Sequence, residues 1–150
     1  MNADQRKKYE QLKKRNAKMV QEAMLKNNVL LQECIEVLKD QEAILPSNKQ
    51  EEILTAFNAK HNEVLNSSAM IKKMERLNSI DDINPDWIGK RVYIIWDEAS
   101  LPIIESKLNE VIHNIDNIKA VAFDTWIVSE NLCKFIEINH NDEIWKLETC

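Results

Sequence analysis

Residues 92–108, VYIIWDEASLPIIESKL, hold the decision about the fold. Val92 to Trp96 is β-branched and aromatic without a polar break, the composition of a buried strand. The run stops at Asp97 and Glu98. Ser100 then stands where a helix N-cap would, and Pro102 falls in the first turn, where a missing amide proton leaves nothing unsatisfied. Leu101, Ile104, Leu108, Val111 and Ile112 recur at helical spacing. The stretch therefore predicts a strand, an acidic corner and a helix running to about residue 114.

Working outward toward the C-terminus, Ala120 to Val128 reads as a second strand. Leu132 to Asn139 reads as a third, after a short SEN turn, and Glu143 to Leu147 as a fourth, after the turn HND. Residues 91–150 are thus expected to form a βαβββ module, a mostly antiparallel four-stranded sheet with one helix on a face. Toward the N-terminus, residues 79–90 read as a linker punctuated by Pro85 and Gly89. Residues 1–78 read as helical and are expected to pack, from residue 28 onward, as one domain with the module. Tyr9, Leu12, Met19, Val20, Ala23 and Met24 form an imperfect stripe on a long first helix that breaks near Asn27 and Asn28. Leu30, Leu31, Cys34, Ile35 and Leu38 mark one face of a second helix. Ser47 and Gln50 have capping-box spacing before a helix over about 48–64 that buries Ile53, Leu54, Phe57 and Val64 or Leu65. A further helix is expected over about 68–77, through Met70, Ile71 and Met74. The fold class is α+β.

The chain has 150 residues and a net charge of −5, enough length for one domain with a sizeable core. One glycine, Gly89, is too few for a phosphate-cradling loop, which excludes the common nucleotide-binding fingerprints. No apolar run is long enough to cross a membrane, and no apolar segment follows the charged N-terminus. The cysteines Cys34, Cys133 and Cys150 are odd in number and far apart, which predicts free thiols in a reducing cytoplasm. Charge is unevenly spread. Residues 1–26 carry eight Lys or Arg against three acids, a net +5, and residues 92–150 carry four against eleven, a net −7.

Several chemical readings compete. Asp124 and Glu137 on neighbouring strands could hold Mg²⁺ in a nuclease, but Asn139 stands where a catalytic lysine would be expected. Cys133 and His140 are seven apart and fall on opposite faces of a regular strand, so they do not make a nucleophile pair. His61, on the exposed side of its helix, and His113, near a helix C-terminus, lack neighbours at metal-ligand spacing. No catalytic residue, metal or cofactor is expected. The basic head, with Lys7, Lys8, Lys13, Lys14 and Arg15, could lie along nucleic-acid phosphates, the alternative function; a solvated helix face is the plainer reading. Asp97 and Glu98 are explained in full as carboxylates complementing a helix N-terminus, whereas Asp124, Glu130, Glu137, Asp142 and Glu143 gather on the same sheet with few lysines, which suits fast capture of a basic partner. Trp126 and Trp145 alternate with these acids, and each fits an interface anchor or a core residue equally well. The predicted partner-binding set is Asp97, Glu98, Asp124, Trp126, Glu130, Glu137, His140, Asp142 and Glu143.

The segments VYIIWDEASLPIIESKLNEVI, DNIKAVAFDTWIVSE and FIEINHNDEI together resemble the immunity proteins of bacterial contact-dependent growth inhibition (CDI) systems. The resemblance lies in Trp96 to Pro102, Asp124 to Trp126 and Ile136 to Ile144, covers about residues 91–148, and extends weakly to LLQECIEVL (30–38) and ILPSNKQEEILTAF (44–57). It implies a cytoplasmic antidote that is not an enzyme. Its partner would be the toxin domain at the C-terminus of the cognate exoprotein, a basic nuclease in many such systems. The resemblance carries over no catalytic residue.

Overall fold

The computed structural model of the chain describes residues 2–13, 15, 28–38, 44–65, 74–83, 85–87, 90–98 and 100–148. Residues 3–13 form helix α1, which Asn2 caps by accepting from the Gln5 amide at 2.9 Å while the Gln5 side chain accepts from the Asn2 amide at 3.1 Å. The helix is exposed along its length, Tyr9 and Leu12 included. The rest of the expected apolar stripe, from Met19 to Met24, lies outside the described residues.

Helix α2 (Val29–Val37) starts at Asn28, whose side chain accepts from the Leu31 amide at 3.0 Å. Leu31, Cys34 and Leu38 are buried and Ile35 packs against them, as its periodicity predicts. Leu30 is exposed instead, because the residue before Leu31 is turned about 100° away from the buried line. Helix α3 (Ser47–Leu65) buries Ile53 and Phe57 and half-buries Leu54. The side chains of Val64 and Leu65, and Met70 and Ile71 of the next expected helix, fall outside the described residues. That helix does not reach residue 77, because Glu75–Leu77 form a short strand, β1.

The sheet has six strands, where four are predicted. After β1 come β2 (Arg91–Trp96), β3 (Ile104–Lys107), β4 (Thr125–Ser129), β5 (Lys134–Ile138) and β6 (Ile144–Glu148). Their order is β1-β6-β5-β4-β2-β3, and each neighbouring pair is antiparallel. Between β3 and β4 run two short helices, α4 (Leu108–His113) and α5 (Ile115–Lys119). The expected second strand is shorter than predicted: residues 120–124 are a loop in which Phe123 is 80% exposed.

The opening stretch accounts for the largest correction. Residues 104–107 do not begin a helix; they fold back on β2 as a hairpin, with Ile94 opposite Ile104 and Arg91 opposite Lys107. Ile104 and Leu108 are four residues apart, a spacing that serves two turns of pleat as well as one turn of helix. Ile104, Ser106 and Leu108 are buried at alternate positions, and only from Leu108 does the helical period take over, through Val111. Strand pairing supplies what local periodicity does not. Arg91 donates to Glu105 at 2.6 Å across the hairpin, and the Leu45 amide donates to the Ile103 carbonyl at 3.2 Å.

Both faces of the sheet are covered, which explains why β2 is apolar without alternation. On one face Val92, Ile94 and Trp96 meet α2, α4 and α5 through residues such as Leu31, Val111 and Ile118. On the other Tyr93, Ile95 and Phe135 meet α3 through Ile53 and Phe57. Trp96 closes the first layer, its indole N–H donating to the buried Ile118 carbonyl at 3.0 Å. Trp96→Phe is expected to cost about 1–2 kcal/mol, the loss of one buried hydrogen bond, read by urea denaturation.

The cysteines divide. Cys34 is free and buried, and burial pushes its thiol up to about 12. A thiol reagent at mildly alkaline pH is expected to leave Cys34 unmodified in the native chain and to label it in denaturant, read by mass spectrometry of the peptides. Cys133 is disulfide-bonded, against the expectation of free thiols. Separation along the chain says little about a sheet: Lys134 stands opposite Glu148, so Cys133 sits where β6 ends.

Candidate functional site

Antiparallel pairing puts the end of one strand beside the start of the next. The ends of β2 and β5 and the starts of β4 and β6 therefore share one edge, and this edge collects most of the predicted site. Asp97 follows β2, Asp124 precedes β4, His140 and Asp142 lie in the β5–β6 turn, and Glu143 precedes β6. Trp126 and Glu137 lie one residue inside the edge, and Glu98 is in the turn after β2. Glu130 is the exception, at the opposite end of β4 beside Arg91.

Some of these acids have structural work. The Asp97 amide donates to the Asp124 carbonyl at 3.2 Å, and the Asp97 carboxylate accepts from the Asp124 amide at 3.3 Å, locking β2 to β4. The Asp124 carboxylate accepts from the His140 amide at 2.9 Å and lies 3.2 Å from its ring Nδ1, so it also holds the β5–β6 turn. Asn139 shapes that turn by accepting from the amides of Asn141 and Glu143, both at 3.0 Å. Asp142 adopts a positive φ of 59° at the place where glycine suits the turn, and its carboxylate pairs with Lys119 of α5 at 3.4 Å. Glu98 lines a shallow hollow against α3 with Gln50, Leu54 and Leu101.

The sheet face toward α3 carries the aromatic part. Register sets Trp126 opposite Glu137 and Glu137 opposite Trp145, a row of indole, carboxylate and indole on three adjacent strands. All three side chains are half-buried. Arg76 of β1 continues the row beyond Trp145. His61 of α3 joins it: its ring stacks on Phe57 at 5.5 Å and meets Trp126 edge-on at 5.8 Å. His61 is thus half-buried, not on the exposed side of its helix as expected, and burial lowers its pKa. The helix turns this face down because Phe57, four residues earlier, anchors to the core. Sequence reasoning placed Trp145 among the acids without assigning it to the site; a correct register is what brings it in.

Burial raises the pKa of Glu137, and the nearby charge of Asp124 adds to the effect. No ion pair or side-chain hydrogen bond involves the Glu137 carboxylate among the described residues. Among those residues no group of three or more His, Cys, Asp or Glu is arranged to hold a metal ion. At the opposite end of the sheet the charges are mixed, with Arg91 paired to Glu105 and 4.0 Å from Glu130. Lys90, Arg91 and Lys134 border a hollow of about 400 Å³, and the Lys134 ammonium lies 5.2 Å from the centre of the Trp87 ring.

A family model described as CdiI immunity protein EcoliA0-like matches residues 28–147. No curated protein matches the chain.

Proposed function

The chain belongs to the CdiI immunity protein family, and on that premise we propose that it neutralises the toxin domain at the C-terminus of its cognate CDI exoprotein by covering it. The observation that supports this mode is the gathering of Asp97, Glu98, Asp124, Glu137, Asp142 and Glu143 at one end of the sheet, with the tryptophans Trp126 and Trp145 between them. A one-sign edge steers a basic partner and speeds its capture, and a few buried aromatic anchors slow its release. Neutralisation on this reading needs no catalytic group and no cofactor, only occupation of the cleft the toxin uses. A nuclease is the toxin class this edge suits best, since its substrate cleft must be basic to hold phosphates and carboxylates can stand in for them. No helix among the described residues is long and apolar enough to cross a membrane; a site of action in the cytoplasm, where such a toxin would act, belongs to the same proposal.

The test is co-expression with the C-terminal domain of the exoprotein encoded beside its gene. A tag on either chain should retain the other, and growth should be restored. Absence of both capture and rescue would sink the reading for that pair. A chain lacking residues 1–26 is expected to capture the toxin as well as the full chain does, because the family match begins at residue 28 and Asn28 itself caps α2. Loss of capture on that truncation would move the basic head into the interface.

A further inference from the structure

We propose that the row Trp126, Glu137 and Trp145 is a socket for one guanidinium group, an arginine of the toxin domain stacked between the two indoles and paired with the carboxylate. The proposal rests on the antitoxin reading above and gives it a centre.

The geometry comes from the sheet itself. Neighbouring strands lie about 4.8 Å apart, so the backbone positions of Trp126 and Trp145 stand about 10 Å apart with that of Glu137 between them. Trp126, Glu137, Trp145 and His61 line a common hollow on this face, so a cation entering it meets the carboxylate beside aromatic rings. Guanidinium is planar, weakly hydrated and stacks on aromatic faces, whereas ammonium holds its water more tightly. Elsewhere in the chain a cation does lie against an indole, the Lys134 ammonium 5.2 Å from the centre of the Trp87 ring.

The socket is also incomplete as it stands. A half-buried carboxylate without a cation is costly, and Glu137 has another acid, Asp124, near it. Arg76 stands on the same row yet lies on the far side of Trp145 and makes no ion pair with Glu137. The titratable groups around Glu137 are Asp124, just before β4, and His61 of α3, with Arg76 of β1 beyond Trp145. Near neutral pH the lowered pKa of His61 keeps it uncharged, so it does not repel an incoming cation.

The experiment titrates the purified cognate toxin domain into the intact chain, its Glu137→Gln variant and an Asp116→Asn control, across a range of pH. Asp116 is on α5, over the opposite face of the sheet, with its side chain 91% exposed. The socket predicts that Glu137→Gln weakens the complex on the order of 100-fold while Asp116→Asn leaves it unchanged. It also predicts that the intact chain loses affinity as pH falls through the raised pKa of Glu137, and that this slope is flattened in the Gln variant. The fold is monitored in the same samples by thermal melting. Folding raises the pKa of Glu137, so its ionised form is penalised in the native state at neutral pH. Glu137→Gln should therefore melt no lower than the intact chain, and the difference should fade as pH falls below the ordinary glutamate range. If the intact chain binds the toxin and Glu137→Gln binds equally well, the socket is wrong and the antitoxin reading stands. If the intact chain does not bind, both fall together.

Discussion

Phe135→Ala is expected to destabilise the chain by about 3–5 kcal/mol, the cost of removing a large aromatic side chain from a site that cannot collapse. Phe135 is 2% exposed and sits in β5, the strand between β4 and β6. Its ring meets Phe57 of α3 edge-on at 5.2 Å, so one side chain joins the sheet to the helix that covers it. Two strands flank β5 and hold its backbone, which leaves little freedom to fill the space. The loss should appear as a lower urea midpoint with little change in slope. A companion variant, Phe135→Leu, keeps most of the volume and should lose much less. Equal losses for the two would mean that this layer is loosely filled.

The second large effect concerns the complex. Glu137→Lys places a cation where the proposed socket takes one, and like charges brought together across an interface cost several kcal/mol. Protection against the toxin is expected to disappear and affinity to fall by more than about 100-fold. The isolated chain should keep its fold, because a long side chain in this half-buried row can reach water. Two other substitutions calibrate the result. Glu130→Lys, at the opposite end of the sheet, should change binding far less if the acidic edge is the contact. Asp97→Lys with Glu98→Lys should slow association more than it speeds dissociation, as rim charges do. Association and release rates measured for the three together locate the contact. Equal effects from Glu130→Lys and Glu137→Lys would remove the acidic edge as its centre.

Several elements were legible because their signals are local. The helices at 29–37 and 47–65 carry 3.6-residue stripes, and β5 and β6 are short apolar runs between clear turns. The composition of the site was legible too, since an excess of acids near tryptophans needs no structure to be counted. Its assembly was not. Trp145 belongs beside Glu137 only once β5 and β6 are in register, and His61 becomes part of the same face only once Phe57 fixes how α3 rolls on the sheet.

By itself, then, the sequence determined the α+β class, most of the strands, the helices at 29–37 and 47–65 and the excess of acids in the second half of the chain, because each rests on a local pattern or on composition. Tertiary structure decided β1, β3 and the covering of both faces. Glu75–Leu77 is three residues with no pattern of its own, a strand only because β6 offers it a partner. Residues 104–107 carry a spacing that helix and strand share, and pairing with β2 selects the strand. Periodicity is written within a few residues; the hydrogen bonds of a sheet edge depend on what another part of the chain brings alongside it.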